Sequence, residues 1–222
     1  MKKVGLFINH PECSQDCCVA ISAILSSKYE VQVFDINELA GELNLNQFYC
    51  VIFPGGIGDS NSYHHLFKRK VANKVADYVF WGGRYLGICM GAYWAAPRYF
   101  DIVNDMDVVQ YIKRDNADVR RSYATTAKVN WKGSEQDMFF YDGCAIIGDE
   151  SNHATQTFDV IARYANRDPM AIIQRRVGLI GCHPESMKYW YEEPWQYLES
   201  KWHDYKHHQL LIEFVDDLIS RN

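Results

Sequence analysis

Arg84-Tyr85-Leu86-Gly87-Ile88-Cys89-Met90-Gly91-Ala92 is an apolar run that halts at a cysteine flanked by two glycines and then resumes with helix-forming residues. Arg84 to Ile88 reads as a buried strand and Met90 to Tyr99 as a helix, so the Gly-x-Cys-x-Gly sequence falls on a strand-to-helix turn. Such a turn leaves no room for side chains around a residue held in a strained backbone conformation, which is why glycines are needed there. The first N–H groups of the helix favour a thiolate over a thiol. Cys89 is thus placed for reactivity, although a small core cysteine would fit the same pentapeptide.

Upstream of this turn, Val4 to Asn9 is a short apolar run and Cys17 to Leu25 repeats its apolar residues at helical intervals. Glu30 to Phe34 alternates as a strand, and Leu39 to Leu45 is a helical or irregular link. Tyr49 to Phe53 is a buried strand stopped by Pro54-Gly55-Gly56. Leu66 to Trp81 has the helical period, ended by Gly82-Gly83. Strands alternating with helices predict an α/β fold, a flavodoxin-like doubly wound, mostly parallel sheet with sites at the carboxyl ends of its strands.

Downstream, short β-like runs predict a β-rich insertion or flank: Val108 to Lys113, Ala124 to Trp131, Met138 to Tyr141, Ala145 to Ile147 and Asp159 to Tyr164. Ala171 to Gln174 and Val177 to Cys182 read as a hairpin around Arg175-Arg176, and Tyr205 to Ile219 as a closing amphipathic helix. No linker, repeat or low-complexity segment interrupts the chain, so residues 1–222 are expected to form one domain.

The 222 residues are 48% hydrophobic, 23% charged and 14% aromatic, the balance of a globular chain. Twenty-three Lys and Arg stand against 28 Asp and Glu, a net charge of −5 that offers nucleic acid no basic field. No run approaches the roughly 18 apolar residues of a membrane span, so no membrane partner is expected and the protein is placed in the cytoplasm. Seven irregularly spaced cysteines form no paired zinc framework, and no metal or cofactor is expected.

Two further segments complete a constellation. Val177 to Cys182 delivers His183-Pro184-Glu185 at a strand terminus, where His183 can take the thiol proton of Cys89 and return it to a leaving amine. Glu185 would orient the imidazole and stabilise its charged form. The glycine-rich turn after Phe53 can aim the N–H of Gly55 or Gly56, together with that of Met90, at a developing oxyanion. Without a following Gly-Lys-Ser/Thr the turn is no phosphate-binding loop.

Gly-Ile-Cys-x-Gly, His-Pro-Glu and a Pro-Gly-Gly turn, in this order, resemble the class I glutamine amidotransferase superfamily and its Cys-His-Glu triad. The stretch from Gly82 to Ala95, with Phe53-Pro54-Gly55-Gly56, is similar to the amidotransferase-like domain at the amino end of biotin-protein ligases, which also occurs free-standing. The resemblance implies Cys89 as nucleophile, His183 as general base and acid, Glu185 as its carboxylate, and Gly56 with Met90 as oxyanion donors. It implies a small-molecule amide as substrate and a synthetase or acceptor-domain partner; ligase activity is not implied. Glutamine-using relatives continue as Gly-x-Cys-x-Gly-x-Gln, whereas Ala92-Tyr93 follows Gly91 here, so the substrate need not be glutamine. Tyr93 and Trp94 would face a different amide or pack the elbow helix.

Lesser signals surround this core. Asp59, Ser60, Asn61 and Tyr63 follow the oxyanion turn, and Asp59 and Ser60, with Tyr93, are candidate substrate contacts. His64-His65 and His207-His208 lack a metal-ligand pattern. The basic pairs Lys113-Arg114, Arg120-Arg121 and Arg175-Arg176 read as solvated faces. The aromatic run Tyr189-Trp190-Tyr191, Trp195, Tyr197 and Trp202 would roof the cleft, make a subunit contact or pack on the sheet. The expected function is a cysteine-dependent amide hydrolase or amidotransferase working through a thioester. Two rivals remain: a non-catalytic binding or regulatory subunit with the same fold, and a DJ-1-like thiol enzyme or redox sensor in which Glu12 tunes the cysteine.

Overall fold

The computed structural model describes residues 1–56, 60–148, 158–192 and 194–221, with the side chains of 60–62 left aside. Its frame is a nine-stranded sheet. Strands β1 (Lys3–Phe7), β2 (Glu30–Phe34), β3 (Cys50–Phe53) and β4 (Tyr85–Ile88) alternate with helices α1 (Gln15–Leu25), α2 (Ile36–Ala40), α3 (Ser60–Leu66) and α4 (Arg69–Phe80). Helix α5 (Met90–Trp94) follows β4 directly, and β5 (Met106–Gln110) pairs with β8 (Cys144–Gly148) in a small antiparallel sheet of its own. Strands β6 (Thr125–Trp131), β7 (Ser134–Phe140), β9 (Asp159–Tyr164), β10 (Pro169–Gln174) and β11 (Val177–Ile180) complete the large sheet, and α6 (Lys206–Ser220) closes the described chain.

The large sheet runs β2-β1-β3-β4-β11-β10-β9-β6-β7. Its first five strands are parallel to their neighbours, and β10, β9, β6 and β7 extend it antiparallel. Every residue of β3, β4 and β11 is buried, whereas the edge strand β2 buries only Phe34. That is why the central strands read as unbroken apolar runs and β2 as an alternating one. Phe7 stacks on Phe53 at 4.9 Å, and Phe53, Phe67, Trp94 and Phe100 pack face to edge with centroids 4.8–6.2 Å apart, filling the space between sheet and helices. This is a mixed α/β fold in which one half of the large sheet is parallel and the other antiparallel.

Three local expectations are corrected. The helix expected over Leu66 to Trp81 starts at Arg69, because Lys68 is extended (ψ 154°) and serves as the N-cap of α4, while Leu66 ends the preceding α3. The helix after Cys89 ends at Trp94 rather than Tyr99, since Pro97 has no N–H to donate and restricts Ala96 before it. The strand expected at Met138 to Tyr141 begins four residues earlier. Lys132 and Gly133 take φ of 48° and 89° and make a two-residue hairpin turn that folds β7 back on β6.

Candidate active site

Register across the centre of the sheet brings the pieces together. Gly87 in β4 lies opposite Phe53 in β3, and Ile88 lies opposite Ile180 at the end of β11. The next residues of the three parallel strands, Pro54 onward, Cys89, and Gly181 to Glu185, therefore emerge side by side at one end of the sheet. Cys89 is a non-glycine residue at φ 50°, ψ −105°, between strand and helix. Its N–H donates to the Ile180 carbonyl at 2.8 Å, which ties the turn to β11. The flanking glycines are fixed by close approach: a Cβ on Gly91 would lie 1.9 Å from the Phe53 carbonyl oxygen, and one on Gly87 would lie 2.3 Å from the Gly91 oxygen. Tyr85 donates its hydroxyl to that same Gly91 oxygen at 2.6 Å.

His183 Nδ1 donates to Glu185 Oε1 at 2.9 Å, with both side chains out of solvent (4% and 0% exposed). Burial opposes a charge on the imidazole, but Cys89, Glu185 and Cys17 around it outweigh that penalty and hold it protonated well above its ordinary range. Glu185 Oε2 is buried with no partner among the described residues. Behind this pair, His208 Nε2 donates to the Ser186 carbonyl at 2.9 Å, and Tyr191 and Ser186 share a hydroxyl bond of 2.9 Å. His203 and His207, spaced i, i+4, stack at 4.0 Å beneath the same loop. Burial pushes His203 down to about 4 and His207 to about 3, so both are neutral supports at neutral pH. The doublet His207-His208 hides this i, i+4 spacing from a reading of the sequence.

Gly55 and Gly56 stand across from these residues. Ser14 N–H donates to the Gly55 carbonyl at 3.0 Å in a bridge between Cys13 and Gly56. The N–H groups of Gly56 and Met90 donate to no backbone carbonyl among the described residues. A Cβ on Gly56 would meet the Glu12 carbonyl oxygen at 2.2 Å, so this turn admits no side chain. Cys89, His183 and Gly56 line one cavity of about 360 Å³. The Cys89 thiol sits 3.8 Å from the Tyr141 carbonyl oxygen at its edge.

Not every expected residue reaches this cavity. Tyr93 does not line it; its hydroxyl is buried without a partner among the described residues, and Trp94 is wholly enclosed in the aromatic core, so both pack the elbow helix. Asp59 lies outside the described residues, as does the side chain of Ser60. Glu12 accepts from Asn9 at 2.9 Å and is not part of the cavity wall. His64 stacks on Tyr99 at 5.1 Å.

Cys17 was not anticipated. It lines the cavity at the start of α1 with its sulfur 3.8 Å from His183 Nδ1. Burial pushes its thiol up to about 11, with His183 partly offsetting the effect. Its signal in the sequence was present but unspecific: it follows the loop after β1, one of the strand ends where sites form. Among the described residues, Cys17, His183 and Glu185 are the group whose donor atoms, within 4.8 Å of one another, have metal-ligand character. Phe139 and Tyr141 enter from the end of β7, and Tyr189, Trp190 and Trp195 from the aromatic run. That run does roof the cleft. Among the described residues no helix is long and apolar enough to cross a membrane.

Residues 9–115 match the family described as biotin-protein ligase, N terminal. No curated protein matches the sequence. Among solved structures, a glutamine amidotransferase from Thermotoga maritima superposes with a TM-score of 0.71 at 12% identity, covering 99% of this chain and 98% of that one. A glutamine amido transferase from Methylobacillus flagellatus gives 0.66 at 10% identity, over 100% and 96%. PurLQS from Thermotoga maritima gives 0.59 at 14% identity, over 96% and 98%. At these identities the likeness establishes the fold.

Proposed function

From the premise that this is a class I glutamine amidotransferase-like chain, we propose that it is a cysteine-dependent amide hydrolase or amidotransferase with Cys89, His183 and Glu185 as its triad. The observation that carries the reading is the buried His183–Glu185 pair, 2.9 Å apart, opening on the same cavity as a cysteine at a positive-φ elbow. With Nδ1 committed to Glu185, the ring nitrogen left for proton transfer is Nε2. The Cys89 proton rests on His183, and the thiolate attacks the carbonyl carbon of a carboxamide. The C=O π pair moves onto oxygen, where the N–H groups of Gly56 and Met90 are free to receive it. Collapse of the intermediate expels the amine, which takes the proton from His183 and leaves as ammonia or a primary amine. A thioester on Cys89 remains. Water, deprotonated by His183, then releases the acid and restores the thiol; another acceptor in place of water would make the reaction a transfer.

The wall that would meet the amide is not the family's usual one, since Tyr93 stands where glutamine-using relatives carry Gln and packs inward. A synthetase or acceptor domain can use the ammonia or thioester, and the whole-length match to PurLQS motivates a search for such a partner. All seven cysteines are free thiols, which suits the reducing cytoplasm. The test is ammonia release from a panel of carboxamides by the wild type, Cys89→Ala and His183→Ala, with folding checked by circular dichroism. The proposal expects release by the wild type and loss of at least about a hundredfold in each variant. Equal release by wild type and Cys89→Ala would refute it.

A further inference from the structure

We infer that the cavity over Cys89 accepts a carboxamide carried on an apolar body that is uncharged or cationic, and disfavours one flanked by a carboxylate, as in free glutamine. The inference rests on Cys89 being the nucleophile. Most of the wall is aromatic or apolar: Phe139, Tyr141, Tyr189, Trp190, Pro194 and Trp195. A volume of about 360 Å³ has room for an amide and a ring-sized body. Asp16, exposed in the first turn of α1, adds a carboxylate to this wall and accepts from the Tyr189 hydroxyl at 3.0 Å.

No lysine or arginine lines the cavity. Among the described residues, the one lining group that can carry a positive charge is His183, and Glu185 matches it at 2.9 Å. Cations in the surrounding segments are engaged. Lys188 lies 3.8 Å from Glu192. Arg121 stacks over Tyr123 at 4.7 Å and Tyr197 at 5.2 Å and donates to Thr125 at 2.7 Å, with Tyr123 in turn stacked on Trp195. Residues 57–59, 149–157 and 193 contain Asp59, Asp149, Glu150 and Glu193 and no lysine or arginine, with His153 their one basic side chain.

The α-carboxylate of glutamine would thus lose water against aromatic walls with no counter-charge and with Asp16 beside it. A cation would keep both the ring faces and Asp16 as partners.

The test reads charge preference before turnover. Methanethiosulfonate reagents carrying a trimethylammonium, a methyl or a sulfonate group are reacted with the full chain, and labelling of Cys89 is followed by peptide mass spectrometry, separately from Cys17. Cys89 sulfur attacks the reagent's sulfenyl sulfur, a mixed disulfide forms and methanesulfinate leaves. Normalised to a small free thiol, the cationic reagent should outrun the anionic one by about tenfold or more at low salt, and Asp16→Lys or 1 M salt should bring the ratio toward one. Ammonia release from glutamine is then compared with release from N-acetylglutamine methylamide, whose carboxyl is capped; kcat/KM should rise about tenfold or more on capping. A labelling ratio of one or below that ignores Asp16→Lys, or glutamine turned over as well as its capped form, would overturn the inference and leave the nucleophile intact. A Cys89 that none of the three reagents labels would instead overturn the nucleophile, and this inference with it.

Discussion

Replacing Glu185 by Gln removes one charge from a pair that solvent does not reach, with almost no change in shape. At the observed 2.9 Å the imidazolium–carboxylate attraction is about 6 kcal/mol for an effective dielectric constant near 20. The glutamine oxygen keeps a neutral hydrogen bond to Nδ1, worth about 1 kcal/mol. Breaking buried pairs by removing one partner costs about 3–5 kcal/mol, and the two estimates together put the loss at roughly 4 kcal/mol. The loss depends on pH in a definite direction. His183 is held protonated well above its ordinary value of 6.5, so its contribution is complete below that value and fades as pH rises through the folded-state value. In Glu185→Gln, one of the groups that offset burial is gone, so the ring holds its proton less strongly. Urea unfolding at a series of pH values measures the consequence: a gap of roughly 4 kcal/mol between wild type and variant at pH 6, narrowing as the pH rises. A gap below about 1 kcal/mol at pH 6, or one that does not change with pH, would refute the reasoning.

Other outcomes follow from the same geometry. Gly91→Ala drives a Cβ to 1.9 Å from the Phe53 carbonyl, a backbone contact no rotamer relieves, and should lower stability by about 3 kcal/mol or more in thermal or urea unfolding. Gly82→Ala, at φ 106° with nothing within 4 Å, should cost only about 1 kcal/mol from backbone strain in the same assay. Cys17, pushed up to about 11, should be ionised in roughly one molecule in a thousand at pH 8, so iodoacetamide mapping should find it labelled far more slowly than Cys89. His203 and His207, pushed down to about 4 and about 3, make the unfolded chain bind more protons as pH falls below 6.5. Stability is therefore lost from about pH 6.5 downward, and His207→Phe should move acid unfolding, followed by tryptophan fluorescence, to lower pH.

The parallel half of the fold was legible because its strands are buried on both faces and its turns are marked by glycine and proline. Tyr85 to Ile88 and the hairpin at Arg175-Arg176 stand where the sequence puts them. The antiparallel half was blurred by one unrecognised turn. Lys132-Gly133 looks polar and unremarkable, yet its two positive φ angles create β7 and thereby bring Phe139 and Tyr141 to the cavity. Cys89, His183 and Glu185 were singled out through local grammar, a residue type at a strand end, and the register of β4 with β11 sets those two strand ends side by side. Cys17 and Asp16 have no such grammar. Their place depends on which face of α1 turns toward β11, a matter of packing that periodicity leaves open. Tyr93 shows the converse: its position in the motif suggested a substrate contact, but the helix it sits on turns it toward the core.

The central claim is that Cys89 and His183 form an activated pair, and the rate of Cys89 alkylation by iodoacetamide between pH 5 and 10 tests it most directly. The account predicts that Cys89 reacts fastest of the seven cysteines at pH 6–7, and that His183→Ala removes this low-pH reactivity. A Cys89 that reacts no faster than an ordinary buried thiol at every pH, and ignores the loss of His183, would contradict it.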